Sequence, residues 1–341
     1  MTIDFSLTLP RFHDVGQAVP YKRTFEFARR VDELGYYAGY VGHHSFTPET
    51  KDLSAPFVFL SAVGAHTEKI RLGTGIYLAA LHHPVNVCEQ VSTLDQITNG
   101  RAILGVGVGY REYEYNNYDS PFAERGKRLD ETLAVLRKAW ATGSYEWDGT
   151  FFDLDDVAVY PPAVQDSGPP IYVGGTSQAA LRRAAAHGDA WFTLPMETLP
   201  YIADLAQRYR AECESFGTEP RICLNRECWV GETDADVERE WYPRALAFHR
   251  YYWDAGTKGD DGDPVLQRVA AGEDPPYQEF VRDRAFAGTP DMVKDEIQRW
   301  HDAIGFDEVC LIFATGREAT TQEALTRSVT LFAEEVAPAF R

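Results

Sequence analysis

Apolar residues recur along the chain as short continuous runs that alternate with stripes of helical spacing. The short runs predict eight buried strands: Ile3–Leu9, Ala38–His43, Ile70–Leu78, Ala102–Gly109, Ile171–Gly174, Ala190–Leu194, Ile222–Val230 and Glu308–Ala314. Stripes such as Val87, Val91 and Leu94 have the period of a helix that packs against a sheet. Eight strands, each followed by a helix, predict a (β/α)₈ barrel.

The segment Ile70–Gly109 contains strand, helix and strand, and therefore predicts a βαβ unit with parallel strands. In parallel sheets the chemistry gathers at the carboxyl ends of the strands. A doubly wound sheet is the alternative fold. Gly105, Gly107 and Gly109 suggest a dinucleotide loop, but the third spacing of that fingerprint is missing and no helix begins directly afterwards.

Two segments interrupt the alternation of strands and helices. The region near 146–170 has paired prolines and short alternating runs, which predict a small β excursion. The region near 256–286 begins with a stretch rich in Gly, Asp and Pro. Two interpretations stay open for it, a solvated insertion and a lid over the pocket. We expect one domain over 1–341 that carries both insertions.

Composition narrows the class of protein. The 341 residues have a formal net charge of -19, which excludes a general binder of nucleic acids or anionic membranes. Five cysteines without a CxxC motif predict buried free thiols in a reducing compartment. The chain shows no signal peptide and no apolar run long enough to span a bilayer, so we expect a soluble, cytoplasmic protein.

Two adjacent histidines, His43 and His44, end the second predicted strand. A histidine at the carboxyl end of a barrel strand can act as a general acid or base near neutral pH. A purely structural role is the alternative. His82 and His83 follow the third strand, but no HxH or HExxH spacing occurs, so we expect no metal site.

A glycine-rich turn follows the fifth strand, in the order Val173, Gly174, Gly175, Thr176 and Ser177. An Ala-rich helix begins at the two hydroxyl residues. Free backbone N–H groups, the helix dipole and the hydroxyls together predict an anion site suited to a phosphate. An ordinary helix cap after a tight turn is the alternative.

Further candidate residues lie at the same ends of neighbouring strands. Arg125 precedes the fourth helix and can reach the same mouth of the barrel. Thr74, Gly75 and Ile76 continue the third strand, where a glycine often marks a bulge or a close approach by a ligand. Tyr110 supplies a flat aromatic surface above the fourth strand.

Four segments resemble the bacterial luciferase-like family of flavin-dependent monooxygenases. They are Val-Gly-His43-His44-Ser-Phe-Thr, Leu-Gly-Thr74-Gly75 through His83-Pro84, Leu-Asp-Gln-Ile-Thr-Asn-Gly-Arg101 with the following Leu-Gly-Val-Gly, and Phe122-Ala-Glu-Arg125. The resemblance covers nearly the whole chain and is strongest in the first 190 residues or so. Together these motifs are specific for the family, although not for any one member.

The resemblance implies a (β/α)₈ barrel that binds a flavin at its carboxyl face, commonly as a dimer. His43 matches a histidine that contributes to oxygen chemistry at the flavin. A non-prolyl cis peptide is implied near Gly75 and Ile76, beneath the flavin ring. Arg125 and Gly174–Ser177 match the phosphate site. Thr74, Tyr110 and Val173 are the remaining expected cofactor contacts.

The sequence departs from the family pattern at two positions. Gly42 stands where an acidic residue often precedes the histidine pair, and Val108 stands where luciferase has an arginine that contacts the phosphate. The second departure keeps a 5-deazaflavin coenzyme open as an alternative to FMN.

Three functions follow from the resemblance. The first is a monooxygenase that uses reduced FMN and O₂ on a small organic substrate, with the reduced flavin made by a separate reductase. The second is a hydride-transfer oxidoreductase dependent on the deazaflavin coenzyme F420. The third is a flavin-binding homologue without turnover.

We also expect a homodimer joined through the helices between the second and fourth strands. The segment Ala55–His66 has apolar residues on more than one face. A single contact with the barrel does not explain why four positions on these faces are apolar, namely Phe57, Phe59, Leu60 and Val63.

Overall fold

A computed structural model describes residues 2–10, 21–46, 53–256, 260–314 and 321–341. All eight predicted strands lie in these ranges, and each is followed by at least one helix, so the fold is the predicted (β/α)₈ barrel. The strands are β1 Asp4–Thr8, β2 Ala38–Val41, β3 Arg71–Thr74, β4 Ala102–Val106, β5 Tyr145–Asp148, β6 Asp153–Val157, β7 Ile171–Gly174, β8 Ala190–Phe192, β9 Ile222–Val230, β10 Phe286–Gly288 and β11 Glu308–Ile312.

The helices are α1 Tyr21–Glu33, α2 Pro56–Gly64, α3 Pro84–Thr98, α4 Glu112–Asn117, α5 Arg125–Ala141, α6 Gln178–His187, α7 Leu199–Phe216, α8 Asp234–Glu240, α9 Tyr242–Asp254, α10 Pro264–Ala270, α11 Tyr277–Val281, α12 Pro290–Ile304 and α13 Gln322–Leu331. The predicted apolar stripes lie in α1, α3, α5, α7, α12 and α13, whereas α4 and α8–α11 are not predicted from a stripe. Short 3₁₀ turns precede α3 and α5.

Contacts within the chain define two compact units. We call residues 40–192 and 209–220 the central unit, and residues 1–39, 193–208 and 221–341 the terminal unit. In the central unit β3, β4, β7 and β8 pair in this order and in parallel. Leu72 lies beside Ala102, and Leu104 lies beside Ile171. Every residue of β4 and β7 is buried, as expected for parallel strands covered on both faces.

The terminal unit contains a second set of parallel strands. β1 pairs with β11, β11 with β9, and β9 with the short β10. Phe5 lies beside Val309, which lies beside Leu224 on its other side. All nine residues of β9 are buried, including several polar ones.

The region near 146–170 forms the predicted β excursion. β5 and β6 pair as an antiparallel hairpin, separate from the parallel strands. The carboxylate of Asp95 in α3 accepts the backbone N–H groups of Val164 and Gln165, at 2.7 and 3.0 Å. This bond fixes the end of the excursion against the helix that precedes β4.

The described part of the region near 256–286 forms regular secondary structure. Residues 257–259 lie outside the described part of the chain. The rest forms α10, α11 and β10, and the side chains of Val265, Leu266 and Phe280 are buried. Arg284 and Asp263 form a buried ion pair that ties the two ends of this segment together. The described residues of this insertion thus have both buried and exposed side chains, and its two interpretations, a solvated insertion and a lid, remain predictions.

The apolar residues of Ala55–His66 do not form the free face that a dimer through this segment requires. Phe57, Phe59, Leu60 and Val63 are all buried within the single chain. α2 packs against both β3 and α3, so two apolar faces are used without a second copy. Val58 is the exception on this helix, with 71% of its surface exposed. The homodimer thus stays a prediction that these four residues do not support.

The prediction of buried free thiols is confirmed. All five cysteines are free and buried. Among the described residues, no helix combines the length and apolar character that crossing a bilayer requires.

Candidate active site

All the site residues predicted from the sequence lie in the central unit. His43 follows the carboxyl end of β2, and its side chain is buried. Its backbone N–H donates to the carbonyl of Ile76, at 3.2 Å. Its Nδ1 accepts the backbone N–H of Leu78, also at 3.2 Å. These two bonds fix the histidine against the segment that follows β3.

The bond from Leu78 determines the protonation of His43. Since Nδ1 accepts a hydrogen bond, the proton of the neutral ring lies on Nε2. That N–H is buried and has no partner among the described residues. Burial, together with the smaller effects of the nearby His82 and His44, lowers the pKa of His43 to about 3. At neutral pH His43 is therefore an uncharged ring with one unused donor.

The rings of His43, Tyr77 and His82 form a stack. The Tyr77 ring lies parallel to His43, with 4.6 Å between ring centroids, and to His82, with 4.9 Å. Burial lowers the pKa of His82 to about 4, so this ring is also neutral. Its Nε2 is a second buried atom without a partner in the described part of the chain.

His44 has a different environment from that of His43. Its Nδ1 lies 3.2 Å from Oε1 of Glu114, which is completely buried in α4. The same carboxylate accepts the backbone N–H of Ser45 at 2.7 Å. The edge of the His44 ring meets Tyr110, with 5.6 Å between centroids. His44 is thus held by a carboxylate, whereas His43 keeps a free donor.

The chain after β3 has the cis peptide between Gly75 and Ile76 that the family resemblance implies. The hydroxyl of Thr74 donates to the carbonyl of Gly105 in β4, at 2.7 Å. Thr74 is fully buried, so its side chain serves the pairing of β3 and β4. A ligand would therefore meet the backbone here rather than the Thr74 hydroxyl.

Two glycines make room for the side chain of Ile76. A Cβ added to Gly107 would lie 2.3 Å from Cδ1 of Ile76, and one added to Gly174 would lie 3.1 Å from its Cγ2. At position 107 only glycine leaves room for the side chain of Ile76. Ile76 is thereby placed across the ends of β4 and β7.

The glycine turn after β7 has the geometry of a helix cap. Gly175 has φ +135°, and Trp191 Nε1 donates to its carbonyl at 2.8 Å. Ser177 is the N-cap of α6, and its Oγ accepts the N–H of Ala180 at 3.2 Å. Val173 and Gly174 are buried in β7, whereas Thr176 is half-buried and Ser177 is exposed. The helix N-terminus is thus open at one side, as an anion site requires.

Arg125 is the first residue of α5. Its Nη1 donates to the carbonyl of Phe122 at 2.8 Å, and its guanidinium lies 3.7 Å from the centroid of the Phe122 ring. Within the described residues no hydrogen bond joins Arg125 to the turn at 173–177. The two helices are connected nearby, because Arg183 of α6 donates to the carbonyl of Gly126 at 3.1 Å.

Three residues of this site were not singled out from the sequence. Tyr77 lies within a longer predicted strand, and His82 is considered from the sequence only as a possible metal ligand together with His83. Glu114 was hidden in the aromatic cluster 113–118, although it is fully buried and bonded to His44. The chain has Gly42 where the family often has an acid before the histidines, and Glu114 supplies a carboxylate from α4 instead. The described residues contain no cluster of metal ligands.

Comparison with known proteins gives the family. The model that describes the luciferase-like monooxygenases matches residues 1–307. The chain belongs to this family. It is an oxidoreductase of the luciferase-like class, as the sequence motifs predict.

Members of the family differ in cofactor. The oxygenase component of the flavin-dependent trigonelline monooxygenase of Acinetobacter baylyi is 24% identical over 333 residues, which cover 94% of this chain and 90% of the relative. The oxygenating constituent of 3,6-diketocamphane monooxygenase from Pseudomonas putida, solved with FMN, superposes with a TM-score of 0.81 at 20% identity over 100% of this chain and 99% of that one. The coenzyme F420-dependent tetrahydromethanopterin reductase of Methanopyrus kandleri gives a TM-score of 0.77 at 18% identity over 100% of both chains. These two structural likenesses establish the fold.

Proposed function

We propose that the protein is a monooxygenase that uses reduced FMN and O₂ to oxidise a small organic substrate. The unused Nε2–H of His43 is the observation that carries this proposal. A neutral, buried donor at the carboxyl end of β2 can stabilise negative charge that develops on oxygen. Its bond from Leu78 and its low pKa keep the ring in this form over the whole physiological pH range.

The residues present fit a flavin. Gly107 and Gly174 leave a recess in which Ile76 supports a flat ring, and the open N-terminus of α6 can bind a phosphate at Thr176 and Ser177. Arg125 would add a charge-assisted hydrogen bond to that phosphate. When bound, reduced FMN supplies the two electrons with which O₂ is activated.

The chain itself then contributes position and proton control. His43 Nε2 donates a hydrogen bond to the reacting oxygen, while Tyr77 and His82 hold the ring and keep water away from it. His44 is bonded to Glu114 and serves as the second candidate group for proton transfer. The name of the trigonelline relative, an oxygenase component, supports a separate flavin reductase as a partner.

A deazaflavin-dependent hydride transfer is the second candidate. Val108 stands where luciferase has an arginine contact to the FMN phosphate, and the Methanopyrus kandleri enzyme has the same fold with coenzyme F420. A non-catalytic flavin-binding protein is the third. A cytoplasmic location and a homodimer complete the proposal and are shared by all three.

Two measurements separate these functions. The protein is titrated without oxygen, first with reduced FMN and then with reduced coenzyme F420, and the FMN complex is then mixed rapidly with O₂. A monooxygenase binds reduced FMN and changes the rate at which it is reoxidised. Binding of the deazaflavin alone would favour hydride transfer. Binding of FMN without any change in reoxidation would indicate the non-catalytic homologue.

A further inference from the structure

Strand β9, in the terminal unit, has buried polar side chains with no role in the flavin site. Asn225 and Glu227 lie two residues apart, so their side chains point to the same face of the strand. Arg226 points to the opposite face, where its guanidinium lies 4.4 Å from the Trp300 ring of α12. Asn225 and Glu227 therefore point away from this helix.

Glu227 is bonded to a histidine from α9. Nε2 of His249 lies 2.6 Å from Oε2 of Glu227, and both side chains are completely buried. This hydrogen bond occupies one oxygen of Glu227 and one ring nitrogen of His249. The other oxygen of Glu227, Nδ1 of His249 and Oδ1 of Asn225 are buried and have no partner within the described residues.

These atoms lie at the carboxyl end of the sheet. The backbone N–H of Asn225 donates to Oγ1 of Thr193, the residue directly after β8, at 2.9 Å. Barrel enzymes bind their ligands at this end of the strands. A buried carboxylate oxygen without a donor costs free energy, which a ligand that supplies the donor would recover.

We propose that Asn225 and Glu227, the latter held by His249, bind a hydroxyl or amino group of a small organic ligand. The two free oxygens are acceptors, so the ligand must supply O–H or N–H. His249 is a positioning residue, because it holds Glu227 through the Nε2–Oε2 bond. A methyl ether of the same shape would leave the Glu227 oxygen unpaired, and sites of this kind reject such analogues strongly.

Matched compounds test the inference through binding, independently of turnover. Phenol, aniline and anisole form one series, and cyclohexanol, cyclohexylamine and cyclohexyl methyl ether form the other. Their affinities for the full chain are measured by calorimetry. We expect the donor-bearing members of at least one series to bind at least about tenfold more tightly than the ether. Comparison of the alcohol with the amine then tells which donor the site prefers.

The variants Glu227→Gln and Asn225→Ala should each reduce this preference by about tenfold or more. Glu238→Gln, on the exposed surface of α8, is the matched control and should keep it. FMN affinity should be the same in all these proteins. The inference is overturned if the ether binds as tightly as its partners, if no compound binds, or if the preference persists in both Glu227→Gln and Asn225→Ala. Intact preference with no flavin binding would instead refute the proposed function alone.

Discussion

The low pKa of His43 predicts a specific loss of stability in acid. In the folded protein the pKa of His43 is about 3, against 6.5 for a free histidine side chain. Between these two values the unfolded chain binds a proton that the folded chain does not. Stability therefore falls as the pH drops below about 6.5, and this contribution is complete near pH 3. The free energy of unfolding falls in acid because His43 is charged when protonated and its pKa is lower in the folded chain than in the unfolded one.

The size of the effect follows from the same two values. One pH unit corresponds to roughly 1.4 kcal/mol, and pH 5 lies about 1.5 units below the unperturbed pKa. His43 alone should thus remove about 2 kcal/mol from the free energy of unfolding between pH 7 and pH 5. Total stabilities of about 5–15 kcal/mol make such a loss easy to detect.

Urea unfolding at pH 7 and pH 5 measures this difference directly. In the variant His43→Gln the side chain no longer titrates, so the loss between the two pH values should be about 2 kcal/mol smaller. His43→Asn gives a second, shorter replacement. His66→Gln, at an exposed position, is the control and should lose as much as the unmodified protein. Equal losses in the His43 variants and the control would refute the reasoning about the buried neutral ring.

Three further outcomes are expected. Arg125→Ala should weaken FMN binding by about 1.5–3 kcal/mol and leave riboflavin, which lacks the phosphate, unaffected; equal FMN affinities would remove this residue from the site. Gly105→Ala should lower the free energy of unfolding by about 1–3 kcal/mol or more, because the new Cβ would lie 1.9 Å from the Thr74 carbonyl oxygen, whereas Gly143→Ala, in open space, should not. Glu114→Ala should cost about 1–3 kcal/mol in urea unfolding, since it leaves a backbone N–H and an imidazole without their acceptor, and an unchanged midpoint would contradict this.

The fold could be predicted well from the sequence because its signal is local. Ile222–Val230 is predicted with the correct bounds, since every residue of this strand is buried. Ile171–Gly174 also has the predicted bounds, whereas the remaining predicted strands end earlier than expected. The run Ile70–Leu78 is mostly apolar, but the regular strand stops at Thr74, and Tyr77 makes only an isolated bridge to Val106. Hydrophobicity marks burial, and burial continues beyond the end of a strand.

The site was predicted in part, for an equally physical reason. The position of His43 follows from the strand that precedes it, but its protonation depends on the N–H of Leu78, 35 residues further along the chain. Glu114 lies 70 residues from His44, and no spacing in the sequence signals this pair. The dimer argument failed because the second apolar face of α2 is covered by the same chain. Partners that are distant in sequence are fixed only by the folded structure.

The glycines of β4 and the residues after it have a consequence for reading motifs in other sequences. Gly105 is required by the carbonyl of Thr74, and Gly107 is required by the side chain of Ile76. The two glycines alternate along the chain because the backbone and a side chain of the neighbouring strand segment contact every second position. Glycines recur in a nucleotide-binding loop for a similar reason, but there the group that comes close to the backbone is a phosphate. Glycines at alternate positions of a buried strand therefore indicate that another group approaches the backbone closely. The neighbouring strand should be considered as that group before a cofactor is inferred.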